Sequence, residues 1–123
     1  MAAAFALGAD GVQIGSRFVA THESSAHINF KNAIINSNEG DTKLLLKQLT
    51  PVRLLSNDFS KKVAELELKG ASNEELLAVL GRGRAKKGMH EGDMNEGELE
   101  IGQVSSEIKS IKKRLNNIKS KSI

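Results

Sequence analysis

The stretch GADGVQIGSRF, residues 8–18, sets the strongest limit on the fold. Val12 and Ile14 alternate with Gln13, which reads as a short strand, and Gly11 and Gly15 bracket it. The residues before it, AAAFAL at 2–7, are strong helix formers and apolar on every side. That pattern predicts a helix buried all round, closed by Gly8 in a left-handed cap. Helix, tight turn, strand and Gly-Ser exit make an αβ unit. In parallel α/β proteins ligands bind where the chain leaves the carboxyl ends of strands. A glycine there lets backbone N–H groups approach an anion, and Ser16 adds a hydroxyl. The same residues equally describe a sharp turn at Gly15 with Ser16 capping the next segment, and on pattern alone that simpler reading prevails.

The rest of the chain reads mainly as helix. Ser24 or Ser25 is the expected cap of a helix running to about Asn36, with Phe30, Ala33 and Ile34 on one stripe. Asn36 to Asp41 is rich in turn residues. From Lys43 to Asn57 no single element fits. Pro51 divides the stretch, and Val52–Leu55 reads as a short strand. Phe59, Val63 and Leu66 recur at helical spacing up to Gly70. Ser72 and Glu75 form a capping-box pattern for a helix through Leu80. Ile101, Val104, Ile108, Ile111, Leu115 and Ile118 recur at spacings of three and four, which predicts a last helix with a narrow apolar seam. That seam is expected to pack on the body of the protein, with a homodimer contact or a basic membrane-surface helix as alternatives.

Composition narrows the function classes. The 123 residues suffice for one modest core. No apolar run is long enough to span a membrane, and no basic residue precedes the short apolar opening, so it makes a poor secretory signal. The absence of cysteine excludes disulfides and thiol chemistry and fits a reducing compartment, so the cytoplasm is the expected location. Four Phe and no Tyr or Trp argue against a base-stacking nucleic-acid reader. Residues 101–123 carry a net charge of +5, leaving −2 for residues 1–100. The basic character therefore belongs to the tail. RGRAKK, Arg82 to Lys87, reads as a solvated face. DMNEGELE, Asp93 to Glu100, fails the calcium-loop spacing, because Gly97 falls one position too early. No metal site and no catalytic residue is assigned. His22 and His27 flank a helix start and His90 lies in a polar loop, which suits capping or solvated roles.

MAAAFALGADGVQIGSRF resembles the last helix-strand unit of the flavin-dependent (β/α)8 barrels of the nitronate monooxygenase family, also called 2-nitropropane dioxygenases. That family includes the flavin type of enoyl-acyl-carrier-protein reductase. The resemblance continues in ATHESSAHINFKNAI, in TPVRLLSN and in GRGRAKKGMHEGDMNEGELEIGQV. It covers nearly the whole chain and is weakest over 38–48 and the extreme tail.

The resemblance implies an α/β fold: the C-terminal part of an FMN-binding (β/α)8 (TIM) barrel with an appended region, predominantly α in this chain. Residues 1–37 would be the last barrel unit and 38–123 the appended, mainly helical region. Such a barrel needs ~250 residues, so Met1 would be an internal methionine of a longer enzyme. The parts that hold the isoalloxazine ring, and the family's histidine base, would lie on earlier strands, and the chain alone would be inactive.

The implied cofactor is FMN, its phosphate held by Gln13, Ile14, Gly15 and Ser16, chiefly through backbone N–H groups. Arg17 would neutralise the phosphate or equally serve as a structural ion-pair partner. Gly102-Gln103 matches a pair near the family's active-site mouth, and equally a plain helix start. The implied reaction is oxidation of alkyl nitronates by oxygen, or reduction of an enoyl thioester, on a small-molecule substrate. A reading of another class, a non-enzymatic helical interaction module, rests on the seam and basic face of the tail.

Overall fold

The computed structural model describes residues 1–113. Helix α1 spans Ala2–Ala6, and Gly8 follows it at φ +97°. The left-handed closure is as expected, but the burial is not: Phe5 is half exposed and Leu7 is 90% exposed. Neither apolar core reaches back beyond Val19. The expected strand over 11–15 is also not formed. A strand exists through the ladder its neighbours supply, and no described residue pairs with this stretch.

The chain turns at Gly15 into a single helical turn, α2 (Ser16–Val19). Helix α3 (Ile28–Ile35) begins later than expected. Its cap is His27, whose Nδ1 accepts the Asn29 N–H at 3.0 Å. Ser24 is engaged elsewhere: its Oγ accepts the Ala26 N–H, and its carbonyl accepts from the buried Lys31 Nζ at 2.9 Å. Phe30 and Ile34 are buried as their stripe demands.

Strand β1 (Thr42–Leu45) pairs antiparallel with β2 (Val52–Leu55), in the register Thr42↔Leu55 and Leu45↔Val52. The sequence pattern shows β2 but not β1, although each strand has four residues. Beyond β1, Leu46 takes φ +58°, a conformation strained for a branched side chain, and the Glu67 carboxylate accepts its N–H. The free edge of β2 is covered by residues 99–101. Leu55 N–H donates to the Leu99 carbonyl at 2.8 Å and Ile101 N–H to the Arg53 carbonyl at 3.2 Å.

Helix α4 (Asp58–Leu68) carries a full capping box: Asn57 accepts the Ser60 N–H, and Ser60 Oγ accepts the Asn57 N–H. Helix α5 (Asn73–Leu80) has the serine half of its expected box, Ser72 Oγ accepting the Glu75 N–H at 3.3 Å. A π-helical turn at Lys86–His90 and a 3-10 turn at Gln103–Glu107 complete the elements.

β2 is the wall between two cores, because successive side chains of a strand point to opposite faces. Leu55 joins Ala20, Phe30, Ile34, Leu99, Ile101 and Ile108 on one side. Leu54 joins Leu45, Phe59, Val63 and Leu76 on the other. The first core draws on residues from both sides of position 37.

The expected helix over 101–118 is broken within the described residues. Ile101 lies in the sheet edge, Gly102 is extended at φ −78° and ψ 165°, and Val104 is half exposed. Ile101 and Ile108 both reach the first core, but along a strand edge and a 3-10 turn. Backbone pairing with β2 outcompetes helix formation at Ile101. Leu115 and Ile118 lie outside the described residues.

Candidate functional site

The exit from residues 11–15 opens onto a surface depression of about 430 Å³. Gly15 and Ser16 line it together with Arg53 from β2 and Glu100 and Gly102 from the covering segment. Of the four residues expected to hold a phosphate, the structure brings Gly15 and Ser16 to this depression. Gln13, exposed, and Ile14, half-buried, lie just upstream and do not line it.

Gly15 caps α2 at φ −108°, and nothing stands within 4 Å of where its β-carbon would be. Ser16 Oγ accepts the Gly102 N–H at 3.0 Å, joining positions 86 residues apart. A β-carbon on Gly102 would stand 2.9 Å from that oxygen, so a larger residue there would displace the hydroxyl.

Arg17 is tied to backbone carbonyls of its own chain. One guanidinium nitrogen donates to the Ala20 carbonyl at 3.1 Å and to the Ser110 carbonyl at 2.7 Å. Burial holds its pKa below the ordinary arginine value. Arg53 also lines the depression, and its guanidinium is fixed by two 3.2 Å hydrogen bonds to Thr42, one to its carbonyl and one to its hydroxyl. Glu100, a further lining residue, shares a hydrogen bond with Glu98, whose pKa is raised first by burial and then by that neighbouring carboxylate. Sequence reasoning missed Arg53 and Glu100. Both fall in ordinary strand-like runs, TPVRLL and GELEIG, and only pairing of those runs brings them beside Gly15.

The other sequence candidates take structural roles. His27 caps α3, and His90 Nδ1 lies 3.4 Å from the Ser25 carbonyl. The solvated-face reading of RGRAKK fails at Arg84. Its Nε donates to the Val79 and Leu80 carbonyls, Nη1 donates to the Glu96 carbonyl at 2.8 Å, and the guanidinium stacks 4.4 Å from the Phe59 ring centre. Asp93 Oδ1 accepts the Asn95 and Glu96 N–H groups, which hold its pKa below the ordinary carboxylate range. Among the described residues no cluster of three metal-ligating side chains occurs, and no helix is long and apolar enough to cross a membrane.

Comparison with known proteins is consistent along the chain. It is 60% identical over 42 residues to a probable nitronate monooxygenase of Bacillus subtilis (strain 168), covering 34% of this chain and 12% of that protein. It is 38% identical over 69 residues to one from Staphylococcus saprophyticus, covering 54% and 19%. The chain thus spans less than a fifth of the length of these curated relatives. Among solved structures, FabK from Thermotoga maritima matches with a TM-score of 0.83 and 36% identity, over 97% of this chain and 38% of that one. Its M276A mutant matches with a TM-score of 0.75 and 35% identity, over 97% and 35%. The sequence model of the family described as nitronate monooxygenase matches residues 1–119. The chain belongs to the nitronate monooxygenase family.

Proposed function

We propose that this chain carries the FMN-phosphate cradle of an FMN-dependent oxidoreductase of the nitronate monooxygenase type, acting on a small-molecule substrate in the cytoplasm. The observation that carries the reading is that Gly15 and Ser16 line one depression together with Gly102. Among the described residues no atom lies within 4 Å of the Gly15 β-carbon position, which leaves room for a ligand at the backbone.

The residues fit a phosphate. Amides at the head of a helical turn have no intrahelical acceptor, which leaves the N–H groups of Gly15 and Ser16 to donate. Ser16 adds its hydroxyl at the depression that Arg53 and Glu100 also line. Gln13 and Ile14 would set the approach of the chain to the cradle. FMN, when bound, supplies the redox chemistry, and the protein supplies binding and orientation. The reaction proposed is oxidation of alkyl nitronates by oxygen. A second reading, reduction of an enoyl thioester, is favoured by the FabK structures, which match 97% of this chain. The interaction-module reading is the weaker one, because Ile101 to Ile108 do not form a continuous helix.

The test is a fluorescence titration of the intact enzyme with FMN and with riboflavin, which lacks the phosphate. Gly15→Val is expected to weaken FMN binding strongly. Ser16→Ala removes one charge-assisted hydrogen bond worth about 1.5–3 kcal/mol, or roughly ten- to a hundredfold in affinity. Riboflavin affinity should change far less in both variants. Equal losses for the two flavins would show that these residues hold the turn and not the phosphate.

A further inference from the structure

We infer that Gly102 is a positioning residue for the phosphate site: its N–H fixes the Ser16 hydroxyl so that the hydroxyl proton points into the depression. The inference rests on the reading of Gly15 and Ser16 as a phosphate cradle. A serine hydroxyl has one proton to give and two lone pairs to receive. Free to rotate, it spends that proton on any acceptor nearby. Here Gly102 N–H donates to Ser16 Oγ at 3.0 Å, so one lone pair is taken. Among the described residues no acceptor in the chain takes the Ser16 proton. The proton is therefore left for a ligand oxygen in the depression that Ser16 and Gly102 both line.

Gly102 is held firmly enough to do this. On one side, Ile101 N–H is bonded to the Arg53 carbonyl, which places residue 101 in the sheet edge. On the other, the Gly102 carbonyl accepts the Ser105 N–H at 3.1 Å and starts the 3-10 turn. The amide thus comes from a rigid segment 86 positions away from the serine. A larger residue at 102 keeps its amide but thrusts a β-carbon to 2.9 Å from Ser16 Oγ, which displaces the hydroxyl. The arrangement is also cooperative: once Ser16 donates to an anion, its oxygen becomes a better acceptor and the Gly102 bond tightens.

Two measurements on the intact enzyme test this. In the first, FMN and riboflavin are titrated into wild type, Ser16→Ala, Gly102→Ala and the double variant. Gly102→Ala should weaken FMN binding about three- to tenfold, with riboflavin unchanged. It should add no further loss in the Ser16→Ala background, because the two residues act through one hydroxyl. Additive losses, or equal losses for both flavins, overturn the inference. If Ser16→Ala selectively weakens FMN while Gly102→Ala does not, the cradle stands and the positioning role falls. If Ser16→Ala is not selective, both fall. The second measurement needs no variant. The Gly102 amide proton of the ¹⁵N-labelled wild type should move downfield with millimolar FMN and stay in place with riboflavin. An amide that responds to neither, or to both alike, overturns the inference even where Gly102→Ala fails to fold.

Discussion

The backbones of Gly88 and Gly97 lie directly against each other. A β-carbon on Gly88 would come within 3.0 Å of the Gly97 Cα and 2.6 Å of the Leu99 side chain. Asn57 Nδ2 reinforces the contact by donating to the Gly97 carbonyl at 2.8 Å. This junction sets the height at which Leu99 to Ile101 meet β2, and that pairing in turn delivers Gly102 to Ser16. The candidate site is therefore assembled by a glycine contact well removed from it.

Gly97→Ala should destabilise the chain by at least ~2 kcal/mol, since the added methyl meets backbone atoms of Gly88 and Asp93, which yield less readily than side chains. Gly11→Ala, at a position with open space and no left-handed φ, should be neutral or slightly stabilising. Urea unfolding of the two variants checks this, and equal stabilities would show that the junction is looser than the structure has it.

Arg84→Ala should cost about 2–4 kcal/mol, because three carbonyl partners and the Phe59 ring lose the guanidinium. Arg84→Lys should recover little of it. An ammonium keeps the charge but lacks the planar fork that reaches Val79, Leu80 and Glu96 together. Full recovery by lysine in thermal denaturation would mean that charge alone matters there.

Glu98 makes stability fall as pH rises. Its folded pKa is raised above the ordinary value of 4.5 by burial and by Glu100, with Arg84 opposing. The folded state therefore holds its proton more tightly than the unfolded state. The resulting stabilisation is complete below the unfolded value and is lost as pH passes through the folded one. Glu98→Gln should flatten that decline and leave the chain more stable than wild type near neutral pH. The check is the difference in Tm between wild type and variant, at about pH 4 and about pH 7. A difference that does not change with pH would remove Glu98 as its source.

The apolar side chains before Gly15 have no cover among the described residues. Phe5, Leu7 and Val12 are exposed, so the chain should self-associate and bind a dye that reports apolar surface. Phe5→Ser with Leu7→Ser should reduce both. Sedimentation and dye fluorescence give the answer, and a wild-type monomer that leaves the dye dark would contradict it.

Capping and helical periodicity are local, and the amino-acid sequence alone determines them. Gly8 closes α1, Ser72 caps α5, and the stripes of Phe30 and Ile34 and of Phe59 and Val63 are buried as their spacing requires. The turn at Gly15 and Ser16 is also legible in the sequence, as a turn. Residues 11–15 and 101–108 depart from their patterns for one physical reason. Whether an alternating or heptad-like run becomes strand or helix depends on which backbone groups come near enough to bond it. For 11–15 no described segment does; for Ile101 the edge of β2 does. Pairing between positions far apart in the chain likewise decides that Arg53 stands at the depression, that Arg17 bonds backbone carbonyls, and that the Gly102 amide meets the Ser16 hydroxyl. Periodicity along one chain contains no information on such distances, which are set only when β2 is flanked on both edges.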